Sequence, residues 1–313
     1  MTQLATKQSV GVIGLGSMGL GVAQSLKRAG FAVHVCDVRP EALAGFAAEG
    51  GSICASPAEL ARKVAVAIVL VVNAEQTEEV LYGSAGAVRH LAQGSVVIAS
   101  STVSPQFAEA LGERLANDGI LMIDAPVSGG TARAANGTLT VMASGAPEAF
   151  ERASDVFAAI SEKVYRLGDR PGVGSKVKMI NQLLAGVHIA AAAEAVALGI
   201  KAGVEPKVLY EVISNSAGSS WMFQNRVPHI LAGDYTPLSA VNIFVKDLGI
   251  VLDSARKMTF PLPLTAAAHQ LFLMAGAAGH GGEDDSAVVK VFQALTGIPL
   301  PGDDPQAWTH DGT

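Results

Sequence analysis

The sequence predicts an α/β protein: a doubly wound parallel sheet, followed by an all-helical domain with one long central helix. Three observations carry this. Short apolar, β-branched runs alternate with helix-period segments through the first half. Those runs are apolar without interruption, as in strands covered on both faces. Past Gly168 the alternation stops and the remainder reads as helix.

In order, Val10–Leu15 is a strand and Ser17–Ala29 a helix; Ala32–Asp37 is the next strand and Glu41–Ala48 the next helix. Val64–Val72, Ser95–Ala99 and Leu121–Ile123 continue the strands, with a helix at Pro105–Ala116. A strand at Leu139–Ser144, a helix at Glu148–Ile160 and a strand at Lys163–Leu167 complete this domain. GDRPGVG, beginning at Gly168, is a Gly/Pro break and the expected boundary. The run Ser175–Ala202 then predicts a helix about 40 Å long, at about 1.5 Å per residue. It is apolar nearly all round and needs cover on most sides, which a second protomer could supply. Further helices are expected at Pro206–Ser214, Trp221–Ala232, Val241–Lys257 and Pro263–Ala277. The expected organisation is a dinucleotide-binding domain over 1–168, a helical substrate and oligomerisation domain over 169–300, and a mobile tail over 301–313.

Composition narrows the function classes. Of 313 residues, 50% are hydrophobic and 16% charged, and the net charge is −6. Without a basic run, neither a nucleic-acid surface nor an electrostatic membrane anchor is expected. Cys36 and Cys54 have no metal-ligand spacing and read as buried thiols of a reduced compartment. The first residues, MTQLATKQS, lack the apolar core of a signal peptide. The apolar run Leu183–Gly203 carries His188, Glu194 and Lys201 and reads as a buried helix. A soluble, cytoplasmic protein is expected, with no metal.

GVIGLGSMG, residues 11–19, holds Gly14-x-Gly16-x-x-Gly19 between an apolar strand and a helix, with an acid closing the next strand. In that context the pattern is a dinucleotide fingerprint. Gly14 permits the turn, Gly16 lets a pyrophosphate approach the backbone, and Gly19 lets helix and strand pack closely. The phosphates would rest on the helix N-terminus, beside Ser17 and Met18. Asp37, in VHVCDVRP, would accept the ribose hydroxyls and repel a 2′-phosphate, so NAD is expected over NADP. Arg39, two residues on, is the feature that could still admit that phosphate. No GxxxxGK[ST] loop occurs.

GLGSMG, SSTVSP (100–105), DAPVSGG (124–130), GVGSKVKMINQ (172–182) and KDL (246–248) occur in that order. With these motifs nearly the whole chain resembles the β-hydroxyacid dehydrogenases, the family of 3-hydroxyisobutyrate dehydrogenase and tartronate semialdehyde reductase. The resemblance implies a Rossmann domain followed by a helical domain. It also implies that Ser128, Gly129 and Gly130 bind the substrate carboxylate, small residues that let amide N–H groups converge on an anion. Thr102 would lie near the nicotinamide ribose, its other reading being a cap for the helix at Pro105. Val72 and Asn73 are further expected cofactor contacts.

The family pattern GxGxxxKxxN(N/Q) fits Gly172, Gly174, Lys178, Asn181 and Gln182, and selects Lys178 over Lys176 as the catalytic lysine. Asn181 and Gln182, three and four residues on, share its helix face, whereas Lys176 points elsewhere. A lysine near a helix N-terminus and a positive nicotinamide ring should have a lowered pKa, as a general base requires. Asn181 or Gln182 would hold the substrate hydroxyl or carboxylate, Gln182 standing where several relatives have Asn. Lys246 matches a lysine that closes over the cofactor, with Asp247 beside it to orient it. His188 lies about 15 Å along the helix from Lys178, too far for a small substrate, and reads as a core or interface residue. NSAGSSWMFQNR (215–226) offers either hydroxyl-binding groups or a helix start anchored by Trp221.

The resemblance implies NAD-dependent oxidation of a small hydroxy acid. The stretch after Lys178 is most similar to relatives acting on four-carbon sugar acids, so L-threonate, oxidised at C2 to its 2-oxo acid, is the first expectation. The alternatives are a 3-hydroxyisobutyrate or tartronate semialdehyde enzyme, and a silent nucleotide-binding scaffold, against which the presence of Lys178 speaks. A homodimer or homotetramer is expected.

Overall fold

The computed structural model describes residues 7–303. The chain divides between Met179 and Ile180 into two compact units. The expected tail 301–313 lies, from residue 304 on, outside the described residues.

The first unit contains strands β1 (Lys7–Ile13), β2 (Phe31–Cys36), β3 (Ser52–Ile53), β4 (Val66–Val69), β5 (Val96–Ala99), β6 (Leu121–Asp124), β7 (Val127–Ser128), β8 (Leu139–Gly145) and β9 (Ser161–Arg166). Its helices are α1 (Gly19–Arg28), α2 (Pro40–Ala48), α3 (Pro57–Ala61), α4 (Ala74–Tyr82), α5 (Pro105–Asn117), α6 (Gly130–Asn136) and α7 (Pro147–Ile160). The sheet order is β3-β2-β1-β4-β5-β6-β8-β7, with β9 also on β8. Pairing is parallel from β3 to β6, and the chain reverses direction at β8, which is antiparallel to β6 and β7.

Each central strand feeds two cores. Val66 and Ile68 face one side, with Val22, Leu26 and Phe157. Ala67 and Val69 face the other, with Leu60, Leu81 and Leu115. This alternation within apolar runs is why the strands show no polar face. The strand expected over 64–72 is shorter, Val66–Val69, with Ala65 and Leu70 each adding one backbone hydrogen bond to a neighbouring strand, because the residues after it turn into the cap of α4.

Helix α8 (Val173–Lys201) runs through the division between the units. The second unit continues with α9 (Pro206–Ser214), α10 (Trp221–Ala232), α11 (Val241–Lys257), α12 (Pro263–Ala275) and α13 (Val289–Thr296). Its core joins Ile189, Ala193, Val196 and Ile200 of α8 to Val227, Phe244, Leu248 and Phe272. Gly186 admits this packing, since a Cβ there would lie 2.8 Å from Leu248. By length and hydropathy α8 could cross a membrane. Its buried face forms this helical core.

Candidate active site

The loop between β1 and α1 has the geometry a dinucleotide needs. Gly14 has φ +94°, a conformation that favours glycine. A Cβ on Gly19 would lie 1.9 Å from the Gly14 carbonyl, whereas at Gly16 it would meet only open space. No side chain caps the start of α1, so its first amides are available to an anion. Ser17 is exposed and Met18 half-buried at that start. A cavity of about 490 Å³ lined by Leu15, Gly16, Ser17, Gln24 and Arg39 opens there. These residues fit a bound dinucleotide.

Asp37 follows β2. Its Oδ2 accepts from the Leu15 N–H at 2.5 Å, and its Oδ1 from the Arg39 N–H at 2.8 Å and Arg39 Nε at 3.1 Å. Burial pushes its acid up, but the Arg39 and Leu15 donors outweigh that and hold it below the usual carboxylate range. The acid and the arginine, weighed separately in sequence, therefore form one ion pair.

Val72 is half-exposed and donates its N–H to Gln76 Oε1 at 2.9 Å; the Asn73 side chain caps α4 by accepting from the Gln76 N–H at 2.8 Å. Thr102 is half-buried beside α5. Ser104, not Thr102, caps that helix, accepting from the Phe107 N–H.

Gly129 and Gly130 have φ +134° and +73°, and open space lies where a Gly130 Cβ would project. Ser128 precedes them in β7, half-buried. Beside this turn the Nζ of Lys178 donates to the Val127 carbonyl at 2.8 Å. Lys178 is only 8% exposed. Lys176 is exposed and pairs with Glu109 at 2.7 Å. The two lysines of the motif thus differ as their spacing predicts.

In the second unit, Gln182 Nε2 donates to Asp247 Oδ2 at 2.6 Å, and Gln182 Oε1 accepts from Asn181 Nδ2 at 3.0 Å. Asp247 Oδ1 lies 2.7 Å from Lys246 Nζ, so the adjacent residues form an ion pair. His188 is half-buried. In the 215–226 segment Ser220 caps α10, which starts at Trp221, and Trp221 is 61% exposed.

Sequence reasoning gave Asp124 no role. It is buried at the end of β6, and its carboxylate accepts from the N–H groups of Gly172 and Ser175 and from the Ser175 hydroxyl. Its place at the head of DAPVSGG was the available signal. Among the described residues no group of three His, Cys, Asp or Glu could hold a metal ion.

Comparison with known proteins agrees with this geometry. Residues 9–168 match the NAD-binding domain of 6-phosphogluconate dehydrogenase, and residues 172–292 the NAD-binding domain of NADP-dependent 3-hydroxyisobutyrate dehydrogenase. The chain is 68% identical to an L-threonate dehydrogenase of Cupriavidus necator, over 94% of this chain and 98% of the relative. It is 51% identical to one of Escherichia coli K12, over 94% and 96%. A crystal structure of a 3-hydroxyisobutyrate dehydrogenase from Salmonella typhimurium is 50% identical, with TM-score 0.87, covering 91% of this chain and 100% of that one. The fold, the dinucleotide loop and these similarities together make the chain a member of the 3-hydroxyisobutyrate dehydrogenase-like family, the NAD(P)-dependent hydroxyacid dehydrogenases.

Proposed function

We propose that the protein oxidises L-threonate at C2 to the 2-oxo acid, with NAD as acceptor. The observation that carries the substrate is the 68% identity, over nearly the full length of both chains, to an L-threonate dehydrogenase. The dinucleotide, when bound, supplies the hydride acceptor. Gly14, Gly16, Ser17, Met18 and Gly19 hold its phosphates; Asp37 takes the adenosine ribose; Val72, Asn73, Thr102 and Lys246 are its further contacts.

Lys178 is the general base. Its neutral Nζ takes the C2 hydroxyl proton as the C2–H bond breaks, and in reverse the ammonium returns it to the developing alkoxide. The Val127 carbonyl supports this role, because it accepts a hydrogen bond from Nζ and so holds the base in place beside the Ser128–Gly130 turn. Ser128, Gly129 and Gly130 hold the substrate carboxylate through backbone N–H groups and one hydroxyl. Asn181 and Gln182, within the next turn of α8, hold the hydroxyl end.

Asp37 makes NAD the preferred cofactor, and the buried free thiols Cys36 and Cys54 suit a reduced, cytoplasmic setting. The Gly168 break is the boundary between the sheet domain and the helical domain in sequence, between the matched stretches 9–168 and 172–292, although the first turns of α8 pack with the first unit up to Met179. A homo-oligomer covers the exposed Leu198, Val208 and Val212 of α8 and α9.

A second reading, oxidation of 3-hydroxyisobutyrate, is favoured by the Salmonella typhimurium structure of that name. Rates of NADH formation across L-threonate, D-threonate, D-erythronate, 3-hydroxyisobutyrate and D-glycerate separate the two. L-threonate should lead; a lead for 3-hydroxyisobutyrate would replace the first reading with the second.

A further inference from the structure

We propose that Asp124 is the positioning residue for Lys178. The proposal rests on Lys178 being the base.

Asp124 is 1% exposed, and its polar neighbours are donors. Oδ2 accepts from the Gly172 N–H at 2.9 Å and the Ser175 N–H at 2.8 Å, and Oδ1 from the Ser175 hydroxyl at 2.7 Å. The Ser144 hydroxyl approaches Oδ2 at 3.5 Å while accepting the Gly174 N–H at 3.0 Å. A helix leaves its first N–H groups without intrahelical partners, and its N-terminus favours an anion. Here three such groups, from Gly172, Gly174 and Ser175, are tied to β6 and β8. Burial raises the acid of Asp124, while the Ser175, Gly172 and Ser144 donors pull it back. Burial is the larger effect, so the acid stays above the usual carboxylate range, while the two backbone N–H groups on Oδ2 favour its charged form.

The glycines of the motif make this approach possible. A Cβ on Gly174 would lie 2.4 Å from the Met142 carbonyl and 2.6 Å from the Asp124 carbonyl. Gly172 has φ +107°. Only glycine lets the first turn of α8 seat against the sheet here.

The consequence is positional. Asp124 grips Gly172, just before α8, and Ser175 in its first turn. Three residues after Asp124, the Val127 carbonyl grips the Nζ of Lys178. Ser128, Gly129 and Gly130 follow directly. One segment of β6 and β7 therefore carries both the proposed carboxylate cradle and the two grips on the helix that bears the base. Lys178 is about 4.5 Å along the helix from Ser175, so a loosened first turn displaces Nζ from the cradle.

The test uses Asp124→Asn, which keeps the shape but removes the charge, leaving the Gly172 and Ser175 N–H groups a neutral amide oxygen in place of a carboxylate. Turnover of L-threonate should fall on the order of 10–100-fold, as small displacements of a catalytic group do. The NADH dissociation constant should stay within about twofold, because the dinucleotide loop is untouched. The limb of kcat/KM against pH that reports Lys178 should move by about half a unit or more, since both the environment of Nζ and a nearby charge change. Ser175→Ala, which removes one donor of the cage, should show the same pattern several-fold weaker; it decides the matter should Asp124→Asn not fold. A folded, NADH-binding variant with wild-type turnover overturns the proposal. So does reduced turnover with an unmoved pH limb, which marks a helix cap acting on stability alone. Lys178→Ala keeps the two ideas apart: turnover in that variant removes the base itself, whereas an inactive Lys178→Ala beside a wild-type-like Asp124→Asn removes only the positioning.

Discussion

Gln182 and Asp247, 65 residues apart, are joined by a 2.6 Å hydrogen bond from the Gln182 amide to the Asp247 carboxylate. The same carboxylate holds Lys246, and the other end of the amide receives Asn181. Gln182 thus fixes the amide direction of one proposed substrate ligand and shares the partner of one proposed cofactor ligand. Its extra methylene, relative to Asn, is the reach this bond uses. Gln182→Leu leaves buried Asp247 one donor short and should cost about 1–3 kcal/mol of stability. It should also raise KM for both substrates, read by thermal unfolding and steady-state kinetics. Gln182→Asn should behave nearly as badly, because the shorter amide does not span the gap.

The Asp37–Arg39 pair predicts cofactor behaviour. Asp37→Ala removes the acceptor for the ribose hydroxyls and leaves Arg39 unpaired beside the place of a 2′-phosphate. The ratio of kcat/KM for NADP to that for NAD should rise by about 10–100-fold, on the scale of one to three kcal/mol of lost hydrogen bonds to a charged group. Arg39→Ala should move the ratio the other way. Paired kinetics with the two dinucleotides check both signs.

A buried ion pair sets a pH-dependent stability. Arg226 Nε meets Asp285 Oδ1 at 2.5 Å, and Asp285 has no exposed side-chain surface. Burial pushes the Asp285 acid up to about 6, against the attraction of Arg226, with Asp284 adding to the rise. A carboxyl with a raised folded pKa binds its proton more tightly when folded. Its contribution is therefore fully present below the unfolded value of 3.8 and declines as pH rises toward about 6. Arg226→Leu strands the charge and should cost about 3–5 kcal/mol at pH 8. The deficit should shrink toward pH 5, where Asp285 accepts a proton instead. Melting temperatures of both proteins at pH 5 and pH 8 measure it.

The apolar side chains on α8 and α9 predict assembly. Leu198 is 68% exposed, in a helix whose other face is core. Leu198→Glu should shift the protein from oligomer to smaller species in light scattering, with the far-ultraviolet spectrum unchanged. An unaltered mass would place the contact elsewhere.

Much of this architecture is legible in residues close together in sequence. The apolar runs at Val66–Val69 and Val96–Ala99 announce buried strands because both faces are covered. The spacing of Lys178, Asn181 and Gln182 distinguishes Lys178 from Lys176, and burial follows the same division. What stays hidden joins distant residues. The grip of Asp124 on Ser175 spans 51 residues and that of Gln182 on Asp247 spans 65, and no local period records either. The short β3, β7 and α6 were equally silent, being set by neighbours in the sheet rather than by their own pattern. Trp221 shows the same division: its place at the start of α10 is a local matter, whereas its exposure is set by the packing of distant residues.

The central claim is that Lys178 serves as the base in NAD-dependent oxidation of L-threonate. It is tested most directly by NADH formation from L-threonate with wild-type protein and Lys178→Ala side by side, with NADH binding measured on both. The expected result is robust turnover in the wild type, loss of about 10²–10⁴-fold or more in the variant, and NADH affinity nearly unchanged. Comparable turnover by the two proteins would contradict the assignment of Lys178, and no turnover of L-threonate by the wild type would contradict the substrate.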